Sequence, residues 1–454
     1  MDAATREHDL TKGSLYKQIL LFSLPLIASN LLQVLFNMSD IAVVGRFSGS
    51  VALGAVGSTT TLVSLFTGFL IGLGSGINVV TARHIGARDA EGTRQTVATA
   101  ALLSLLIGIA LCGIGLAGTR GVLHLLGTKP ELMEGAALYL HIYFLGMPAM
   151  ALYNYGNAVF SAAGDTRRPL LFLLFAGIVN VLLNLFFVIV CSMSVAGVAL
   201  ATIISQYLSA GLILLALARS KEVYTLRLQK GMLRREPADR VLALGLPAGF
   251  QNTIFAIANL FIQAGVNRFD AVMVEGNSAA ANADAMIYDV MAAFYVACSS
   301  FMGQNLGAGD GRRVKKSFRI SLLYSFAVGT LMGVLLLLFG RTFLSLFTTE
   351  QAVIDAGMKR LQIMGLSYGV SAFMDCAIAG SRGLGKSLVP TIIVIMGSCV
   401  FRLVWVYTVF AYFGTIPSLY LLYVFSWSIP AVAELLYYRH SLKTALAQLT
   451  PATV

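Results

Sequence analysis

The chain has 454 residues, of which 57% are hydrophobic and 12% charged, with a mean hydropathy of +0.80 and a formal net charge of +11. A soluble domain carries roughly 25% charged residues, so this composition excludes an ordinary water-soluble enzyme. The apolar excess, with only five cysteines, also excludes a disordered chain, a collagen and a small disulfide scaffold, leaving an all-α polytopic membrane protein.

A helix crossing the hydrocarbon core needs about 20 mostly apolar residues. Residues 1–14 are polar and the first apolar stretch is too long for the core of a cleavable leader, so the first span is expected to stay in the membrane. Cutting the chain at charged or Gly/Pro-rich breaks predicts twelve spans: 16–44, 53–82, 95–118, 132–163, 169–190, 194–217, 241–267, 276–305, 318–340, 351–381, 388–411 and 415–438. They group into a first lobe (1–217, six spans), a charged linker (218–240), a second lobe (241–438, six spans) and a tail (439–454).

Polar side chains inside these spans are informative, because a charge at the bilayer centre costs about 2.5–3.5 kcal/mol on insertion scales. In the first span Asn30, Gln33, Asn37 and Asp40 fall on one helix face. Pro25 lies on the same helix and removes a backbone hydrogen bond, so it is a candidate hinge or a static kink. Pro148, Pro247 and Pro430 also lie within apolar spans. The GLGSG stretch at 72–76 of the second span reads as close helix packing or a flexing point. Asn180 and Asn184 of the fifth span share a face, and the sixth carries Thr202 and Gln206. Counted from the outer span ends, Asp40, Asn184 and Thr202 lie at similar depth. One carboxylate among amide and hydroxyl oxygens supplies the hard ligands a small cation takes. The same acid in an apolar bundle is also suited to hold a proton, and such groups can simply hydrogen-bond helices together.

The seventh span repeats the stripe in part with Asn252, Asn259 and Gln263, so corresponding helices are expected to turn polar faces toward a cleft between the lobes. The other intramembrane charges of the second lobe are Asp284 and Asp289 (eighth span), Asp375 (tenth), Arg402 (eleventh) and Glu434 (twelfth). Arg402 lies deep in its span and needs a partner, for which Asp289 and Asp375 are the candidates, either as a structural ion pair or as one that breaks during transport. Asp284 is expected near the outer mouth in a solvated role, and Glu434 near the inner end, where it can snorkel.

Lysine and arginine counts orient the chain. With the N-terminus inside, the inner segments hold 24 and the outer loops seven (Arg46, Arg120, Lys129, Arg268, Arg341, Lys359 and Arg360). Both termini are therefore expected in the cytosol of a plasma-membrane protein. The positive charge is this topology signal and at most a contact with anionic lipid heads, so no nucleic-acid partner is expected. An odd cysteine count without CxxC spacing argues for packing roles. No HExxH pair occurs and no GxGxxG follows a strand, which argues against an enzyme and a cofactor.

The two halves repeat. Leu24-Pro25 returns as Leu246-Pro247, Gly86-Ala87 as Gly307-Ala308, and Gly164 and Pro169 as Gly385 and Pro390, at offsets of 222, 221, 221 and 221. Six spans per half give parallel repeats about an axis along the membrane normal, a plan used by transporters. The stretches LFNMSDIAVVGRFSGSVALGAVG (35–57), HIGARDAEGTRQ (84–95) with NLGAGDGRRVKK (305–316), and AGDTRRP (163–169) with SRGLGKSLVP (381–390) resemble the multidrug and toxic compound extrusion (MATE) transporters. The major facilitator plan also has two six-span halves, but its second-to-third loop signature does not match 83–94.

The resemblance implies two lobes in a V shape and efflux of cationic or amphipathic organic compounds in exchange for Na+ or H+. It maps Asp40 onto the family's first-helix carboxylate, and Asn180 and Asn184 onto a fifth-helix amide pair, giving a possible Na+ site at Asp40, Asn180 and Asn184. Other members have Asp where Asn184 stands, which favours Na+ or a single-acid proton site here. Asp375 lies about one turn away from the tenth-helix acid of some members, and the seventh span lacks their acid, so the second lobe departs from the pattern. The leading expectation is an alternating-access antiporter, acting as a monomer, in which Asp40, helped by Asn180, Asn184 and Thr202, drives bending at Pro25. The alternatives are a flippase for lipid-linked saccharide or lipid, which would need a basic cleft, and a channel or membrane enzyme.

Overall fold

The computed structural model describes residues 9–228, 231 and 233–449, so 1–8 and 450–454 of the expected lobe and tail, and residues 229, 230 and 232 of the linker, lie outside it. Among the described residues every regular element is helical. Ten helices are long and apolar enough to cross a membrane: Leu15–Phe47, Gly49–Gly86, Ala90–Leu125, Arg167–Val190, Ser194–Arg219, Arg235–Val266, Ala271–Gly307, Gly311–Leu344, Leu388–Phe413 and Ile416–Leu449. Two bent pairs, Pro130–Phe144 with Met147–Ala162 and Gln351–Met364 with Ser367–Gly383, bring the candidate spans to twelve, numbered below in chain order.

Several helices run well beyond the limits expected from apolar character. The ninth begins at Gly311 rather than 318, and the twelfth continues to Leu449 rather than 438. Charged residues end an apolar window without ending a helix, because their stems lie along apolar surface while their heads reach water. What ends these helices is the turn chemistry. Asp89 accepts from the Gly92 N–H at 2.9 Å to start the third span, and Asp310 accepts from the Arg313 N–H at 2.9 Å to start the ninth. The residue before each cap is left-handed, Arg88 at φ +56° and Gly309 at φ +76°. Gly309 meets this turn without strain, whereas its counterpart in the first half is an arginine.

The repeat is visible in local geometry as well. The fourth and tenth spans break at equivalent places and bend by 49° and 52°. The fifth span closes with a π-helical turn at Phe186–Val190, and the eleventh has one at the equivalent Val406–Phe410 and another at Ile395–Val400.

The chain forms two compact units. One comprises Ala28–Gly249, and the other joins Leu10–Ile27 to the chain from Phe250 onward. This division differs from the expected lobes, since the start of the first span counts with the second unit and the start of the seventh with the first. Side-chain packing accounts for it. Ile19, Phe22 and Leu26 share a core with Phe294, Ala297 and Phe301, with the Phe22 and Phe301 rings edge to face at 5.5 Å. In the first unit the second span meets the seventh backbone to backbone: a Cβ on Gly72 would lie 2.4 Å from the Gly249 nitrogen, and one on Gly76 2.5 Å from that of Gly245. The GLGSG stretch is thus a close-packing face.

Candidate functional site

The first unit gathers three of the expected polar residues around the carboxylate of a fourth, Asp40. Asp40 is 7% exposed, Asn180 4% and Asn184 0%. Asn184 Nδ2 donates to Asp40 Oδ1 and also lies 3.3 Å from Asn180 Oδ1. Thr202 Oγ1 donates to Asp40 Oδ2 at 3.2 Å and is 2.9 Å from the Val198 carbonyl oxygen. The i, i+4 spacing of Asn180 and Asn184 places both amides on one face of the fifth span, just before the helix widens at Phe186. π turns of this kind recur at functional sites.

One buried oxygen here, Asn184 Oδ1, has no hydrogen-bond partner. Buried polar atoms are nearly always satisfied, so the cluster has an oxygen more than its donors can serve. Together with Asp40, the Asn180 carbonyl and the Thr202 hydroxyl it forms a donor set suited to a hard cation. Tyr139 and Tyr143 of the fourth span lie near enough to feel the charge of Asp40. Sequence reasoning missed them, since the bend after Phe144 decides which way this helix face points.

Gly177, one turn before Asn180, lets the first span approach: a Cβ there would stand 1.9 Å from the Phe36 ring, one turn before Asp40. Gly177→Leu is therefore expected to destabilise the protein by about 1–3 kcal/mol through overpacking. The check is the thermal midpoint of the purified protein, and an unchanged midpoint contradicts the contact.

The remaining stripe residues are placed less uniformly. Asn30 and Asn252 are half-buried, whereas Gln33, Asn37 and Asn259 are exposed. Gln263 donates to Asn267 Oδ1 at 2.9 Å and accepts from Asn277 at 3.3 Å. Pro25 lies within the continuous helix Leu15–Phe47.

In the second unit four expectations are corrected. Arg402 does not ion-pair with Asp289 or Asp375. It donates to Asn259 Oδ1 at 2.8 Å and Ser426 Oγ at 3.2 Å, and lies over the Phe255 and Tyr423 rings at 5.3 and 5.0 Å. Matching depth along a helix says nothing about direction around it, and the π turns on both sides of Arg402 rotate that face. Arg360, counted above as an outer-loop residue, is 5% exposed inside the tenth span. It binds Asp284 through Nη2 and, at 3.0 Å, through Nε, so Asp284 is not a solvated group at a mouth. Tyr368 also donates to Asp284, Asn277 accepts from Arg360 at 2.7 Å and from Tyr420 at 3.0 Å, and the guanidinium lies over the Tyr423 ring at 4.9 Å. Glu434, finally, does not snorkel but is 0% exposed.

All five cysteines are free thiols, three of them buried. No cluster of three His, Cys, Asp or Glu suited to a metal occurs among the described residues.

The sequence model of the MatE family matches residues 25–186 and again 247–408, the second match lying 222 residues after the first. The chain is 29% identical over 395 residues to a Bacillus subtilis protein named "Probable multidrug resistance protein YpnP", covering 86% of this chain and 87% of that one. It is 25% identical over 375 residues to a Shewanella oneidensis protein named "FAD transporter", covering 80% and 81%. Among solved structures it superimposes on a MOP superfamily transporter from Pyrococcus furiosus with a TM-score of 0.90, at 22% identity, covering 97% of this chain and 98% of that one. With the family matched across both halves and the fold shared, the chain belongs to the MATE family of multi-span membrane transporters and is not an enzyme.

Proposed function

We propose that this protein is a secondary antiporter that expels cationic or amphipathic organic compounds from the cell, by alternating access, in exchange for Na+ or H+. The observation that carries the proposal is the Asp40 cluster: one carboxylate, two amides and a hydroxyl from three spans, with the Asn184 carbonyl oxygen buried and without a donor. An Asn184 amide that turned its oxygen toward Asp40 would complete a set of oxygen ligands, which favours Na+ over a proton. Release of the ion would leave the carboxylate to recover the Asn184 and Thr202 hydrogen bonds seen here. Asp40 stands on the same helix as Pro25, where bending meets the least backbone resistance. The excess of Lys and Arg in one set of loops supports a plasma-membrane orientation with both termini in the cytosol.

Export of a phosphate-bearing cargo, whether a lipid-linked saccharide or a nucleotide like that in the name of the Shewanella relative, is the second reading. The two buried arginines of the second unit favour it, but Arg360 is neutralised by Asp284 and Arg402 is engaged by Asn259 and Ser426. The organic-cation reading is therefore the better supported.

Purified protein in proteoliposomes, with a fluorescent lipophilic cation and separate Na+ and pH gradients, tests the proposal. Transport driven by Na+ alone supports the oxygen-ligand site. Transport driven by pH alone makes Asp40 a proton carrier, and no response to either gradient overturns the antiport reading.

A further inference from the structure

We propose that Glu434 is a protonation site of the second unit, and that its charge decides whether Arg382 holds Gln251 of the seventh span or the Glu434 carboxylate. The proposal adds to the antiport reading above but does not rest on the Asp40 cluster.

Glu434 is fully buried on the twelfth span, and neither of its carboxylate oxygens has a hydrogen-bond partner. An ionised carboxylate stripped of both water and donors is strongly disfavoured. In this arrangement the group is suited to hold a proton, and its charged form needs a donor close by.

A donor lies within its electrostatic reach. Arg382 on the tenth span is the first of the charged groups that act on Glu434, and Asp375, on the same span, is the other. Arg382 donates from Nη2 to Gln251 Oε1 at 2.8 Å, while its Nε is buried and has no partner. A guanidinium with a spare donor therefore neighbours a carboxyl group with spare acceptors. Gln251 Oε1 also accepts from Thr391 at 3.3 Å, so it keeps one partner if the arginine leaves.

The other titratable groups around this pair come from every side. The eighth span contributes Tyr288, which interacts with Arg382, Asp375 and Asp289. The eleventh contributes Arg402, which interacts with Asp375 and Cys399. The ninth contributes Arg319, which interacts with Tyr438 on the twelfth span itself, as do Cys298 and Cys376. Among the described charged groups only Arg382 combines electrostatic contact with Glu434 and an unused donor.

The step is a proton transfer with no other bond change. Glu434 gives its proton to water at the half-exposed Arg382, and the carboxylate then accepts from the Arg382 N–H groups. The Arg382 bond to Gln251 is exchanged for an ion pair. Gln251 lies one turn after Pro247, whose missing N–H leaves the turn before it without a backbone hydrogen bond, so its release frees the helix next to its weakest turn.

Infrared difference spectroscopy on the whole protein in lipid, across a pH step, reads the C=O stretch of protonated carboxyl groups without any transport. The wild type should show an acid band that Glu434→Gln removes. Gln251→Leu, which takes away the present acceptor of Arg382, should shrink that band at a given pH as the arginine turns to Glu434. A band unchanged in Glu434→Gln overturns the proposal, and so does one indifferent to Gln251→Leu. If Glu434→Gln fails to fold, the Gln251→Leu result decides alone. Because the readout needs neither cargo nor gradient, a protein that proves not to be an ion-coupled antiporter would still show the band if Glu434 titrates as described.

Discussion

Replacing Asp40 with asparagine is expected to abolish ion-driven efflux while leaving the protein folded. Asn is nearly isosteric with Asp and can still accept from Thr202 and pair with Asn184. The change therefore converts charge-assisted hydrogen bonds, about 1.5–3 kcal/mol each, into neutral ones of about 1 kcal/mol. The stability lost should be about 1–2 kcal/mol, small enough for normal insertion and elution as a folded protein. The function lost should be total, because the only charge in the cluster is gone and no other acid reaches its oxygens. Gradient-driven transport in vesicles and the thermal midpoint, measured on one preparation, separate the two effects. Efflux at the wild-type rate in a folded Asp40→Asn protein would show that the coupling charge lies elsewhere.

The second large effect is structural. Asp284→Ala should destabilise the protein by about 3–5 kcal/mol, since it strands the buried Arg360 guanidinium without its counter-charge. Tyr368 loses its acceptor at the same time. Removing both charges is a milder change: in the double variant Asp284→Leu with Arg360→Met most of that loss should be recovered, because well-packed apolar side chains often replace a buried ion pair at little cost. Thermal unfolding of the two single variants and the double variant closes the cycle. If the losses of the single variants simply add in the double variant, the pair is not coupled as described.

How much of this was legible in the sequence depended on which coordinate the residues encode. Apolar run length located all twelve spans, and depth counted along a helix brought Asp40, Asn184 and Thr202 to one level, where they meet. Depth does not report direction around the axis. Arg402 was expected to meet Asp289 or Asp375, yet it turns to Asn259 and Ser426 on a helix whose π turns shift the face. Arg360 was counted with the outer loops for its charge beside Lys359, although the expected tenth span, like the helix itself, begins at residue 351 and so encloses it. Nothing local marks Glu434 as buried. A lone acid near a span end snorkels by default, and only the packing around the twelfth span leaves this one no exposed surface.

The division into two compact units was hidden for a related reason. Each break falls within a continuous helix, between Ile27 and Ala28 in the first span and between Gly249 and Phe250 in the seventh, where neither hydropathy nor charge changes. Both breaks come two residues after a proline, Pro25 and Pro247. The position that repeats between the halves is thus also the one at which the chain passes from one unit to the other.

The central claim is that ion movement is tied to cargo movement through Asp40. It is tested most directly by running the coupling backwards. Vesicles holding the purified protein are given a gradient of organic cation and no ion gradient, and the counter-movement of Na+ and of protons is recorded for the wild type and Asp40→Asn. The account predicts that cargo flow drives one of the two ions in the opposite direction in the wild type and neither in Asp40→Asn. Ion counter-movement of wild-type size in the Asp40→Asn protein would contradict it.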